Sequence, residues 1–500
     1  MGDFEIKEGD LWGRIGVLRL RRGTLETPAL LPVVHPFRQE LPPGELKALG
    51  FGALMTNAYI IYRRMGTPPP GGVHGLLAFD GILATDSGGY QALRYGSVKV
   101  GPEDMASFQA ALGSDIAVIL DTPTRATWGR AKAEESVRLT LEAARLTARY
   151  LDAGPLWVGA IQGGRHLDLV RACSKALVKM GFRMLALGGP VEVMEGYDFV
   201  TLLRMMAEAR RAVPPSIPLH LFGAGLPLTI PLAVALGFDT FDSASYLLYA
   251  KQGRYMTQQG VLRLEKVSYL PCACPVCSSF SPERLRRDVL SLARHNLYVL
   301  ASCIREVKES IHEGRLWELV FTRARAHPQL WEAAKLLARL SPRFELDTPM
   351  TKPRALFFVA PPDQHRPEVL RYRSRLLRHY TPPSTERLVL VPPPSDRPLL
   401  RSRLLGLCAQ LGLVPPNATL CTFSPPFGPI PVELSELYPL SQHVASREGA
   451  FFRKALALLR AFVRLHGFKA ITVLTDRRSE ALMARVARAL GVELRPLPKA

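Results

Sequence analysis

Between residues 30 and 245 the chain repeats one pattern eight times: a short apolar run of strand length, a polar residue or glycine, then a longer stretch compatible with a helix. The runs are Leu30 to Val34, Gly52 to Thr56, Ile82 to Thr85, Ile116 to Leu120, Trp157 to Ile161, Met184 to Leu187, Leu219 to Phe222 and Thr240 to Phe241, the last being the shortest. A strand buried on both faces has no polar side to alternate with, so continuous apolar runs separated by helices indicate parallel strands covered by helices. Eight such units predict a closed (β/α)8 TIM barrel rather than an open sheet, placing the chain in the α/β class.

Barrel chemistry sits at the carboxyl ends of the strands. The residues there are His35, Asn57, Asp86, Asp121, Gln162, Gly188, Gly223 and Asp242. Any one of them reads equally well as a helix cap or turn former. Their recurrence at corresponding points of successive units gathers three carboxylates and a glutamine on one rim.

The formal net charge is +20 and the pI about 9.9, an imbalance that suits a polyanionic partner, nucleic acid first. From Thr351 to the end, 23 Lys and Arg stand against 10 Asp and Glu, so the tail is the more basic part. A charge-rich thermophile surface is the competing account, and 42 prolines fit it too. No charged head precedes an apolar stretch and small-residue cleavage site, and no apolar run reaches the roughly 20 residues of a bilayer span. The chain therefore reads as soluble and cytoplasmic, without a membrane partner.

Three of the seven cysteines fall within six residues, as Cys272-x-Cys274-x-x-Cys277, and His295 follows. Such clustering suits a metal site in a reducing compartment rather than a disulfide framework. Three thiolates and an imidazole complete a tetrahedral shell with no position left for a reacting water, which predicts one structural Zn2+ per chain. The alternative is three free thiols beside a packed or solvated histidine.

The segment Thr85-Asp86-Ser87-Gly88-Gly89-Tyr90-Gln91 adds a hydroxyl, two glycines and an aromatic ring to a strand end. Together with Ile119-Leu120-Asp121-Thr122-Pro123-Thr124, Ile161-Gln162-Gly163-Gly164, Leu187-Gly188-Gly189, Phe222-Gly223-Ala224-Gly225, Phe241-Asp242-Ser243-Ala244-Ser245-Tyr246 and the cysteine–histidine set, it resembles the tRNA-guanine transglycosylases, motif by motif and in order. The resemblance spans about residues 10 to 340. The Asp242 to Tyr246 segment and the basic tail with Phe427-Gly428-Pro429-Ile430-Pro431 are similar to the archaeal branch, which exchanges the D-loop guanine at tRNA position 15 for 7-cyano-7-deazaguanine on the way to archaeosine.

The resemblance implies a retaining base exchange in which a carboxylate attacks the ribose anomeric carbon, as in a two-carboxylate glycosidase. It assigns Asp242 as nucleophile and Asp86 as acid/base, with the reverse assignment open. It implies that Asp121 accepts from the purine ring N–H and amino group, that Gln162 donates to its carbonyl, and that Gly188 and Gly189 meet its substituted side. Ser87 joins the base-binding set, and Tyr90 and Phe222 sandwich a ring flipped out of the tRNA stack. A homodimer is implied as well.

From about Pro342 the composition turns to Pro-rich segments between strand-like runs, which predicts a catalytic barrel with zinc site over 1–341 and two small basic domains over 342–435 and 436–500. Archaeal members commonly end in an RNA-binding PUA domain, and no segment here reads as one. Either the basic tail grips tRNA unaided or a separate PUA-type protein supplies the contacts. Two rival readings are an archaeosine synthase-like amidotransferase and a non-catalytic tRNA-binding paralogue; the presence of both Asp86 and Asp242 weighs against them.

Overall fold

The computed structural model describes residues 3–89, 100–152, 154–392, 406, 409–410, 412–413, 417–446 and 449–497. They fall into two compact units, Met1–Leu336 and Leu337–Ala500, with the division inside the helix Pro328–Arg339 rather than at residue 341.

The first unit opens with an antiparallel meander, β1 (Phe4–Asp10), β2 (Gly13–Leu20) and β3 (Gly23–Thr27). Eight parallel strands follow: β4 (Ala29–Pro32), β5 (Ala53–Asn57), β6 (Ile82–Asp86), β7 (Ile116–Val118), β8 (Leu156–Ile161), β9 (Met184–Leu187), β10 (Leu219–Leu221) and β11 (Thr240–Ser243). From β5 to β11 each strand pairs with its sequence neighbours, and β11 returns to pair with β4. The ring closes where Val33 bridges Met55 and the Val34 N–H donates to the Met55 carbonyl at 2.8 Å. All eight expected runs are thus barrel strands.

Almost every residue of these eight strands is buried, which is why the runs are continuously apolar. Leu31, Met55, Ala84, Val118, Val158 and Met184 fill the interior together with Leu18 and Leu25 from the meander. The outer helices bury single stripes. In the helix Leu167–Lys179 the buried positions are Val170, Cys173, Ser174 and Leu177, the three- and four-residue spacing of one helix face. After the barrel come a hairpin, β12 (Arg254–Thr257) with β13 (Gly260–Arg263), and a 24-residue helix, Val289–His312.

The second unit pairs β14 (Leu356–Phe358) in parallel with a later strand and builds a five-stranded sheet from β15 (Arg387–Val391), β16 (Thr419–Ser424) and β17 (Gly428–Pro431), then, past the strand β18 (His443–Ala445) that partners β14, from β19 (Ala470–Thr475) and β20 (Leu494–Pro496). Segments 342–435 and 436–500, expected as separate domains, are joined in this one sheet. β15 lies between β16 and β19, and its Leu388 and Leu390 share a core with Val473 and with Leu459 of the helix Gly449–His466. Neither segment could bury β15 alone. The Phe427 to Pro431 motif is part of the packing: Phe427 and Ile430 are fully buried against Leu356 and Phe358, and both later prolines sit on the edge strand β17, where a missing N–H costs no ladder bond. Among the described residues no helix is long and apolar enough to cross a membrane.

Candidate active site and metal centre

Asp86 ends β6 beside Asn57 at the end of β5. The Asn57 amide does two jobs: its Nδ2 donates to Asp86 Oδ2 at 2.9 Å, and its Oδ1 accepts from the Ile60 N–H at 2.8 Å, capping the helix Ala58–Met65. Burial, then the negative charge of Asp242, pushes the Asp86 carboxyl up to about 6, against the hydrogen bonds from Gly88, Ser87 and Asn57.

Asp121 accepts from Gln162 Nε2 at 2.6 Å, and Gln162 Oε1 is taken by the Thr124 N–H at 2.8 Å. That orientation leaves the second Nε2 hydrogen of Gln162 free to donate elsewhere. Burial, then the charge of Asp86, raises Asp121 to about 7. Two glycines make this packing possible. A Cβ on Gly89 would lie 2.1 Å from Asp121 Oδ1, and one on Gly188 would lie 2.1 Å from Gln162 Nε2. Gly189 adopts φ +71°, and a Cβ there would meet the Thr124 carbonyl at 2.3 Å.

Asp242 lies within β11 rather than just after it, so its side chain is anchored by the barrel wall. Its Oδ1 accepts from the Gly223 N–H at 2.8 Å and lies 3.0 Å from His220 Nε2. Phe222 is half-buried, its ring edge-on to His220 at a centroid distance of 4.9 Å. Ser87 is fully buried, and its hydroxyl donates to the Ile119 carbonyl at 2.7 Å, so the side chain braces the rim from below. Tyr90 lies outside the described residues. Asp86, Asp121, Gln162, Gly188, Gly189, Phe222 and Asp242 therefore stand at the strand ends, where Asp86 feels the charge of Asp242 and Asp121 that of Asp86.

Three supporting residues carry too little sequence signal to stand out: His220, Thr240 and Thr124. A lone histidine in the run Leu219 to Phe222 reads as core; only its two-residue spacing from Phe222 places both on one side of the strand.

The second constellation is local. The ligand atoms of Cys272, Cys274, Cys277 and His295 all lie within 4.8 Å of one another, and those of Cys274 and Cys277 are 3.5 and 3.2 Å from His295 Nδ1. Spacings of this size suit four donors around one ion. His295 Nε2 faces the Met256 carbonyl at 2.9 Å, which leaves Nδ1 as the donor atom. Tyr255 stacks on the imidazole at 3.7 Å and sets its hydroxyl 3.2 Å from Cys277 Sγ. The group can hold a metal ion.

A closed parallel barrel with three coupled carboxylates at the carboxyl ends of its strands has the layout of a barrel enzyme. Its sequence over residues 10–329 matches the family described as queuine tRNA-ribosyltransferase. A tRNA-guanine(15) transglycosylase from Aeropyrum pernix is 47% identical over 346 residues, 67% of each chain. Proteins of the same name are 39% identical in Methanosarcina barkeri, over 88% of this chain and 87% of the other, and 40% identical in Pyrobaculum aerophilum, over 89% and 90%. The chain belongs to the queuine tRNA-ribosyltransferase family.

Proposed function

We propose that this protein is a tRNA-guanine(15) transglycosylase that exchanges the D-loop guanine of tRNA for 7-cyano-7-deazaguanine through a covalent enzyme–RNA intermediate. The observation that carries the reading is the coupled pair at the rim: an Asp86 carboxyl raised to about 6, beside an Asp242 whose charge helps to raise it. Two carboxyls in unlike environments divide acid and nucleophile roles between them. An Asp242 oxygen attacks the anomeric carbon C1′, forming C1′–O while the C1′–N9 bond breaks. The electron pair leaves on guanine, which takes the Asp86 proton. The incoming base returns a proton to Asp86, attacks C1′ and displaces Asp242, so charge and atoms balance over the cycle.

Ionised Asp121 receives the N–H and amino group of the purine, and the remaining Gln162 hydrogen goes to its carbonyl. The backbone at Gly188 and Gly189 meets the substituted edge, and Phe222 with Tyr90 stacks on the ring. A base lacking these groups would leave buried polar atoms unpaired, which is the source of selectivity. Cys272, Cys274, Cys277 and His295 hold a structural Zn2+ that ties the segment after the barrel to the long helix.

The second unit grips tRNA phosphates through its surplus of cations, among them exposed Arg453, Lys454, Arg460 and Arg464 on one helix. A homodimer, a cytoplasmic location and help from a PUA-type protein complete the proposal. Incubating the chain with unmodified tRNA and labelled guanine tests it: incorporation of label, and a covalent protein–RNA band on denaturing gels, are expected. Binding of tRNA without either would favour a non-catalytic paralogue. Neutralising the four helix cations should weaken tRNA binding and reduce its salt slope by about one for each phosphate no longer held.

A further inference from the structure

Asp242 Oδ1 is held from two directions. The Gly223 N–H reaches it at 2.8 Å because Gly223 adopts φ +67°, a conformation that favours glycine and turns the amide towards the carboxylate. From the barrel interior comes His220 Nε2 at 3.0 Å. The imidazole is 3% exposed and lines a small, mostly apolar cavity inside the barrel with Leu31, Val158 and Met184, so no bulk water competes for its protons. Its other nitrogen, Nδ1, lies 2.9 Å from the hydroxyl of Thr240, one pleat below Asp242 on the same strand.

Counting protons decides the state of this chain of contacts. Thr240 is fully buried, and its hydroxyl faces Nδ1. If Nδ1 carried a hydrogen, the hydroxyl would accept it and leave its own hydrogen buried without an acceptor, a costly arrangement. If Nδ1 is the acceptor, Thr240 donates upward, the ring's single hydrogen sits on Nε2, and Nε2 donates to Asp242. Every proton then has a partner.

We propose that Thr240 and His220 form a positioning relay that fixes the Asp242 carboxylate by its Oδ1 and so presents Oδ2 as the attacking oxygen. The inference rests on the reading of Asp242 as nucleophile. A carboxylate pinned at one oxygen cannot rotate about its Cβ–Cγ bond, so Oδ2 is held ready for in-line approach to C1′. His220 touches no reacting atom and donates no proton to substrate.

The test measures the rate of covalent adduct formation with tRNA, and separately the affinity for free guanine, in the full chain. His220→Leu should slow adduct formation about 10- to 100-fold, the loss expected when one hydrogen bond to a charged group disappears, with a much smaller change in guanine affinity, because Asp121, Gln162, Gly188 and Gly189 lie on other strands and, of the purine contacts, only Phe222 packs on the imidazole. His220→Gln, whose amide restores a donor at similar reach, should recover most of the rate. Thr240→Val, nearly the same in shape, should slow the parent severalfold and have no further effect in the His220→Leu background, because without the imidazole there is nothing left to orient.

Equal rates for His220→Leu and the parent, or equal rates for the Gln and Leu variants, would overturn the relay. Multiplicative losses from Thr240→Val and His220→Leu would overturn its upper-to-lower order. If His220→Leu fails to fold, the Gln variant and Thr240→Val, singly and combined, still decide. A parent chain that forms no adduct overturns the nucleophile reading itself, an outcome distinct from any of these.

Discussion

The metal corner and the carboxylate rim use polar groups in opposite ways. At the corner each donor is completed on the spot: His295 is fixed through Met256, and the Cys274 and Cys277 N–H groups point at the sulfurs of Cys272 and Cys274. At the rim, burial and like charge work against Asp86 and Asp121 in their ionised forms. Saturated polar groups stabilise a fold, whereas groups held in an unfavourable state store reactivity. Loss of a corner residue should therefore show first in stability, and loss of a rim residue first in chemistry.

The largest effect expected is at Asp242. Replacing it with Asn keeps the size and the Gly223 hydrogen bond but removes the nucleophilic charge, so exchange should fall about a thousandfold or more while the melting temperature stays close to the parent's. A covalent tRNA adduct surviving in Asp242→Asn would move the nucleophile to Asp86 and redraw the rim's division of roles. Next in size is the corner. Cys277→Ser should lose the metal, proposed above as one zinc per chain, and lower the melting temperature sharply, since metal binding energy is folding energy at such a site. Active parent protein with no zinc by metal analysis would count against the corner's structural role.

A smaller effect separates two carboxylates within the rim. In the proposed exchange Asp86 serves the leaving base in its protonated form, and its value of about 6 means that adduct formation should decline as pH rises above that point. In the same proposal Asp121 accepts two purine N–H groups in its ionised form, and its value of about 7 means that guanine affinity should rise with pH through that range. Adduct rate and base affinity measured between about pH 5 and 8.5 should thus trend in opposite directions. Parallel trends would show that one group governs both.

The two constellations also differ in how far residue order alone reveals them. The corner's spacing is local, so four ligands within 24 residues stand out before any fold is known. The rim draws on strands from residue 57 to residue 243, and it becomes readable because burial on both faces makes each strand a continuous apolar run. The eighth run is the shortest for a physical reason: β11 carries Thr240 and Asp242, whose side chains meet His220, and then Ser243, whose hydroxyl bonds Ser245. His220 is hidden among leucines, and the burial of Ser87 depends on a partner, Ile119, on the next strand's continuation. The expected boundary at residue 435 shows the reverse error. Prolines 392 to 394 look like a linker, but β15 pairs with β19 across about 80 residues, and no local pattern reports so distant a register.

The smallest effect tests whether the rim truly costs stability. Folding raises Asp121 from an ordinary carboxylate value near 4 to about 7, so the folded chain binds an extra proton between those limits. The stability associated with that proton is complete below about pH 4 and is lost as pH rises through about 7. Asp86 adds a dependence of the same sign up to about 6. His35, His365 and His466, all shifted down mainly by loss of solvation, act in the opposite sense below neutrality, so the parent's own curve mixes the two. Comparing the parent with Asp121→Asn removes the histidines from the difference. The amide can still accept from Gln162 Nε2 but never ionises, so the two proteins should melt alike near about pH 5 and separate by about 2–5 °C in favour of the variant at about pH 8. A constant gap across that range would mean that Asp121 loses nothing by being charged in its pocket. The rim would then resemble the corner, a set of satisfied polar groups, and the division between stabilising and reactive constellations would have to be drawn at Asp86 and Asp242 alone.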